Sequence, residues 1–359
     1  MITFLIFIFV ISVLVFVHEL GHFILAKRAG MKVEEFGFGF PPRLWGIHKG
    51  ETVYSINAIP FGGFVKIYGE DGEHRLEPRS FGSKSIGARF SVVAAGVVVN
   101  VLFAALLLIA GNFLGLRVGL TDQNLSQAKD KEVQIIQVSK GSPAETAGLE
   151  VLDAIKGFKQ NGTVIDVSSV PEVQNYVVQH SGQKIIILIR RGSGILEKEI
   201  QVRANPPPGQ GPLGVSLAFT GIVSYPWHES LWRGLQDAGT LTFNTAQGYW
   251  LLLKTLLTKG KLIADVSGPI GIATMTGQAA RVGLNYFIQF IAMISINLAV
   301  LNTIPFPALD GGRMLFLIIE KIKGSPLPKR AEAWMNTIGF VLLMALMLYI
   351  TVKDISRFL

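Results

Sequence analysis

The sequence predicts an α-helical polytopic membrane protein, four transmembrane helices with an inserted α+β domain, on three observations. Half of the 359 residues are hydrophobic and only 16% are charged, at a mean hydropathy of +0.44, where an ordinary soluble domain has about 25% charged residues. Four runs, 1–17, 90–116, 282–309 and 333–352, contain no Asp, Glu, Lys or Arg. Between the second and third lies a stretch of soluble character.

The last three runs are long enough to cross about 30 Å of hydrocarbon at about 1.5 Å per residue, and so is the first, which apart from Glu19 meets no charge before Lys27. The first has no basic segment ahead of it and runs on through His18 and Glu19 without a small-residue cleavage site, so it reads as a retained span and not as a signal peptide. A further uncharged stretch, 238–253, holds Thr240, Thr242, Asn244, Thr245 and Gln247. It is too short and too polar for a span, and reads as a helix lying at the interface or packed on the bundle.

Loop charge orients the bundle. The loop 27–89 has ten Lys/Arg and the loop 313–330 has five, so both are expected to face the cytoplasm and both termini the outside. Lys254, Lys259, Lys261 and Arg281 then lie outside and count against this arrangement. The net charge of +8 is concentrated in such loops, and no nucleic-acid partner is expected. With no cysteine, a thiol nucleophile, an iron-sulfur cluster and a Cys-type zinc site are excluded, and any metal must rest on His, Asp and Glu.

Four regions follow. Residues 1–113 hold the first two spans with a cytoplasmic β-rich loop, and 114–212 form the extracytoplasmic domain. Residues 213–281 are a linker with the amphipathic interfacial segment, and 282–359 hold the last two spans. In the inserted domain the apolar runs Val133–Val138 and Lys184–Ile189 read as strands, 171–180 as a helix, and Gly141-Ser142-Pro143 and Asn161-Gly162 as turns. The run 205–212, with four prolines, reads as the stiff linker that closes it.

The first span carries His18-Glu19-Leu20-Gly21-His22. Spacing i, i+4 puts both imidazoles on one helix face with Glu19 beside them, the minimum for a metal held by two nitrogens with a carboxylate at hand to take a proton from water. Six histidines and sixteen glutamates in a chain of this length give about 0.004 chance matches. Mere packing is a poor alternative, because an ionisable group in mid-membrane costs on the order of 3 kcal/mol. A tetrahedral catalytic zinc needs a third protein ligand. The candidate is Asp310 in Asn302-Thr-Ile-Pro305-Phe-Pro307-Ala-Leu-Asp310-Gly-Gly312, where the prolines break the third span and free the carboxylate to turn towards a neighbour. Its alternative is a cap on the helix over Met314–Lys321. With four spans, the first and third run in the same direction and carry these residues near their cytoplasmic ends, so the ligands can meet at one depth. A fifth span at 238–253 would put Asp310 on the opposite face.

The inserted segment resembles a PDZ domain through Gly141-Ser-Pro-Ala-Glu-Thr-Ala-Gly-Leu149, Asp153 and Ile155, with Val151-Leu152-Asp153 standing where that family has a Gly-Asp pair. Such a domain either takes an extended peptide as an added strand or acts as a spacer that limits access. Together, HExxH in the first span, Asn-x-x-Pro-x-Pro-x-Leu-Asp-Gly in the third and this insert resemble the site-2 protease family of intramembrane zinc metalloproteases, in its bacterial RseP type, with one such insert where some relatives have two. The resemblance implies that His18, His22 and Asp310 bind Zn2+, that Glu19 is the catalytic acid/base, and that Asn297, Asn302 and Asn100 contact substrate or order the site. Packing between helices is the plain alternative for the asparagines. It implies a bacterial inner-membrane location and single-span membrane proteins as substrates, anti-sigma factors or remnant signal peptides among them. Val53–Tyr68, with strand-rich halves around Pro60 and Gly62-Gly63, resembles the family's membrane-reentrant β-loop, against an ordinary cytoplasmic hairpin. Gly268-Pro-Ile-Gly271 is a further point of likeness, without a chemistry of its own. His48, His74, His180 and His228 stand singly and are given no role. The competing readings are a metal-binding membrane transporter and a PDZ-bearing membrane scaffold.

Overall fold

The computed structural model describes residues 2–72, 74–75, 77–160, 162–260 and 268–358. In chain order, the elements begin with α1 (Ile2–Arg28), β1 (Val33–Lys49), β2 (Thr52–Ile67), α2 (Ile86–Leu114), β3 (Leu116–Gly119) and β4 (Lys129–Val138). There follow α3 (Pro143–Thr146), β5 (Ala154–Gln160), β6 (Thr163–Asp166), α4 (Val170–Gln179), β7 (Lys184–Arg191), β8 (Gly194–Gln201) and β9 (Val215–Val223). The chain ends with α5 (Trp227–Lys259), α6 (Pro269–Val282), α7 (Leu284–Thr303), α8 (Asp310–Lys323) and α9 (Lys329–Phe358). Two compact units result, one of 1–108, 234–278 and 290–359, the other of 109–233 and 279–289.

Among the described residues, four helices are long and apolar enough to cross a membrane: α1, α2, α7 and Lys329–Ser356 of α9. Each overlaps one of the four uncharged runs, and α5, which contains 238–253, is not among them. The third run does not continue as helix to 309. It stops at Thr303, Pro305 and Pro307 lie in the turn that follows, and Asp310 opens the next helix.

In the first unit, β1 and β2 form a two-stranded sheet on α1. The stretch from Val53 is not a hairpin of two mutually paired halves. Phe36 has both Tyr54 and Val65 as register partners, and Gly37 has both Ser55 and Phe64, so the halves of β2 flank the start of β1. Strand propensity is legible locally, but the partner is not. The Ser12 hydroxyl in α1 donates to the Pro60 carbonyl, and the Gly62 amide donates to Ser12 Oγ at 3.4 Å, so the bend of β2 is tied to the first span. At the turn between the strands, Arg79 and Lys27 are bonded to Glu51 and hold its carboxyl down to about 2. α1 and α2 meet closely: a Cβ on Gly21 would stand 2.6 Å from the Ala95 carbonyl oxygen. Gly268-Pro-Ile-Gly271 acquires a physical role, since the Gly271 amide in the first turn of α6 donates to buried Asp354 of α9 at 3.0 Å.

The second unit is built on a seven-stranded antiparallel sheet of order β3-β9-β4-β5-β7-β8, with β6 paired to β5. Its core joins Val133, Ile135, Ile155, Phe158 and Ile187 of the sheet to Val173 and Val177 of α4. The expected strands and helix are present as β4, β7 and α4; of the expected Asn161-Gly162 turn, Asn161 lies outside the described residues. The domain does not close at 212 as the Pro-rich run suggests. β9 returns between β3 and β4, so 213–281 is not simply a linker, and the prolines mark a connection inside the domain. Leu152, where a Gly was expected from the resemblance, takes φ +76°, a conformation that favours Gly. Asp153 beside it is buried and paired with Arg191 at 2.7 Å.

Candidate metal centre

The α1 helix places His18 and His22 on one face, their rings 4.8 Å apart between centroids. Asp310 comes from the other end of the chain. The turn after α7 delivers it, and this turn is tight: a Cβ on Gly311 would collide with the Ile304 and Thr303 carbonyls and one on Gly312 with that of Phe306. Leu309 precedes α8 without a side-chain cap bond, and the Asp310 carboxylate does not cap the helix but faces the histidines.

His18 Nε2 lies 3.0 Å and His22 Nε2 3.4 Å from Asp310 Oδ2, and the two ring nitrogens are 3.2 Å apart. Tetrahedral zinc holding each ligand at about 2.0–2.1 Å would set them about 3.3 Å apart. Among the described residues, these form the one group of three or more His, Cys, Asp or Glu able to share an ion. Both histidines are buried, and among the described residues the buried Oδ2 of Asp310 has no hydrogen-bond partner. Two nitrogens and one carboxylate oxygen are a donor set that fits zinc, with a fourth position left for water.

The outer contacts fit as well. His22 Nδ1 lies 2.8 Å from the Val92 carbonyl of α2, an acceptor for its N–H that leaves Nε2 bare. His18 Nδ1 lies 3.2 Å from the Asn100 amide nitrogen, while the buried Asn100 Oδ1 has no partner among the described residues. A half-turn of that amide brings Oδ1 to His18, satisfies the oxygen and lets Nδ1 donate, again leaving Nε2 for a metal. Gly96 makes room for both rings: a Cβ there would stand 2.5 Å from His22 Nε2 and 2.6 Å from His18 Cε1. Glu19 Oε2 accepts from the Val65 amide of β2 at 3.1 Å, so strand and carboxylate are held together.

The asparagines separate. Asn100 is fully buried against His18, a contact that fits ordering of that ring. Asn297 accepts from the Tyr249 hydroxyl of α5 at 3.1 Å and donates to the Met293 carbonyl. Asn302 is half-buried. Neither is in hydrogen-bond contact with His18, His22 or Asp310. Sequence reasoning missed Gly96, Val92, Val65 and Tyr249. Two of these act through backbone groups and leave no side-chain signal. Gly96 four residues before an intramembrane Asn was the available hint.

Helices apolar enough to span a membrane, with a histidine pair, a remote aspartate and a glutamate beside them, fit the class of membrane metallohydrolases. Residues 6–346 match Peptidase family M50. A Clostridium perfringens protein provisionally named a zinc metalloprotease is 36% identical, with 96% of each chain covered. The zinc metalloprotease RasP of Shouchella clausii is 30% identical over 99% of each chain. The regulator of sigma-W protease RasP of Bacillus subtilis is 28% identical over 99% of this chain and 98% of its own. The chain belongs to peptidase family M50 and is a zinc metalloprotease.

Proposed function

We propose that this protein hydrolyses peptide bonds within or beside the transmembrane segments of single-span membrane proteins, with His18, His22 and Asp310 holding zinc and Glu19 as general acid–base. The observation that carries this is the meeting of the three ligand atoms within 4.8 Å on and beside helices apolar enough to span a bilayer. Zinc supplies a Lewis acid that activates water and polarises the scissile carbonyl. Glu19, anchored through Oε2 to β2, takes the proton of the attacking water and returns it to the departing amine nitrogen. His22 and His18 keep their Nε2 atoms turned to the metal through the Val92 carbonyl and Asn100.

A helical substrate hides its carbonyls and must unwind before attack. The Gly63–Ile67 part of β2 has β1 on one side and, among the described residues, no strand on the other, which suits it to pair with an unwound segment beside Glu19. Asn297 and Asn302, on α7, are the proposed side-chain contacts to such a segment. The Bacillus relative's name supports membrane-bound regulators of sigma factors as one substrate class. The basic loops 27–89 and 313–330 support a bacterial cytoplasmic-membrane setting with both termini outside.

In purified, reconstituted protein, one zinc per chain is expected, and chelation stops cleavage of a panel of single-span substrates until zinc is restored. Cleavage that persists without metal would sink the reading.

The sheet domain is proposed as PDZ-like with a peptide groove. Val173, Val177 and Val178 of α4 face Val215 and Leu217 of β9 across a cleft ended by Gly211–Leu213. β3 pairs only with 220–223, so the rest of that β9 edge can accept an extended peptide. In full-length protein, Val178→Asp should weaken binding of labelled peptides with an apolar C-terminus at least about tenfold, by anisotropy. Equal binding by the variant, or none by the wild type, supports a spacer instead.

A further inference from the structure

We propose that two ion pairs away from the metal, Arg89 with Glu320 and Glu70 with Arg313, position Asp310 and thereby set the zinc affinity of the site; this rests on the reading of Asp310 as a ligand. Asp310, Arg313, Leu317 and Glu320 recur at i, i+3, i+7 and i+10, which places them on one stripe of α8. Together they meet α1, the segment after β2, and α2. Asp310 faces the α1 histidines, and Arg313 pairs with Glu70 just after β2. Leu317 packs with Met314 against Val93 of α2. Glu320 takes two bonds from Arg89 of α2, at 3.0 and 2.6 Å, with both side chains largely buried.

These pairs matter because they add directional bonds to the apolar packing of α8, whose buried face includes Met314, Phe316 and Leu317. Its N-terminus has no side-chain cap, and the ligand is its first residue. A carboxylate about 5 Å from a helix axis moves about 2 Å when the helix turns by about 20°. Metal coordination tolerates about 0.2 Å. The planar fork of Arg89 on both oxygens of Glu320 resists that turn, and Arg313 resists it one turn from Asp310 itself. Arg89 and Glu320 touch neither ligand nor reacting atoms, so they are positioning residues.

The test uses full-length protein in micelles, with zinc affinity read by competition against a fluorescent chelator and geometry read from the absorption of the cobalt-substituted form. Glu320→Gln should bind zinc about 10–100-fold more weakly at an unchanged fold. Arg89→Lys, which keeps the charge and loses the fork, should fall between, and the exchanged pair Arg89→Glu with Glu320→Arg should recover most of the loss. Lys184→Gln, which breaks an exposed pair with Glu199 in the other unit, should change nothing. A folded Glu320→Gln with wild-type zinc affinity and cobalt spectrum overturns the proposal. Should that variant not fold, Arg89→Lys decides, and wild-type affinity there overturns it equally. A wild type with no zinc affinity would instead remove the metal site itself.

Discussion

Glu19→Gln is expected to lower cleavage of a reconstituted single-span substrate by about 10²–10⁴-fold, the range of a lost general acid–base, while zinc per chain stays at the wild-type level. The substitution is close to isosteric. A Gln side-chain oxygen can still accept from the Val65 amide that Glu19 Oε2 now holds at 3.1 Å, so the bond between α1 and β2 survives. What is lost is the ability to take a proton from water and give it to the departing amine. Glu19→Ala is a weaker experiment, because it also frees the strand. Metal analysis and cleavage measured on one preparation separate the readings: a carrier using His18, His22 and Asp310 as ion ligands keeps its metal and its transport with Gln at 19. Cleavage at the wild-type rate by Glu19→Gln would end the assignment of this carboxylate as acid–base.

The helical period explains why half of this site is legible in sequence. Residues four apart on a helix fall about 40° apart around the axis, so His18 and His22 had to share a face once the run around them was helix. Asp310 was legible for a different reason: two prolines end the helix before it, and a count of four spans lets the first and third run the same way, as its meeting with the histidines requires. What could not be read is pairing across long separations. The prolines of 205–212 mark a turn equally well at the end of a domain or inside one, and only the return of β9 between β3 and β4 decides between them. Alternation in Val53–Tyr68 marks strand, but not that its halves lie on either side of β1. Arg89 and Glu320 each look like an interfacial charge at a helix end, and the bond between them joins positions 231 residues apart. An amide inside a span, such as Asn100, announces a partner without naming it, and the partner is the His18 ring.

Gly96→Ala is expected to strip zinc from the protein although it alters no ligand. The added methyl would stand 2.5 Å from His22 Nε2 and 2.8 Å from His18 Nε2, the two atoms proposed to hold the metal. Contacts that short require something to move. The rings are not free to yield on their own: His22 is bonded through Nδ1 to the Val92 carbonyl, and His18 lies against Asn100, both on the helix that carries Gly96. Backing α2 away would open the close contact that α1 and α2 make at Gly21 and Ala95. Either the rings tilt or the helices part, and each displaces Nε2 by far more than the roughly 0.2 Å that coordination allows. Gly87→Ala, at an open position of the same helix, gives the control and should be neutral or slightly stabilising, because Ala is the better helix former by about 1 kcal/mol. Elemental analysis after dialysis reads the difference: zinc retained in Gly87→Ala and lost in Gly96→Ala, with cleavage lost in parallel. A Gly96→Ala protein that keeps a full zinc complement would mean that the imidazoles are not the ligands packed against α2.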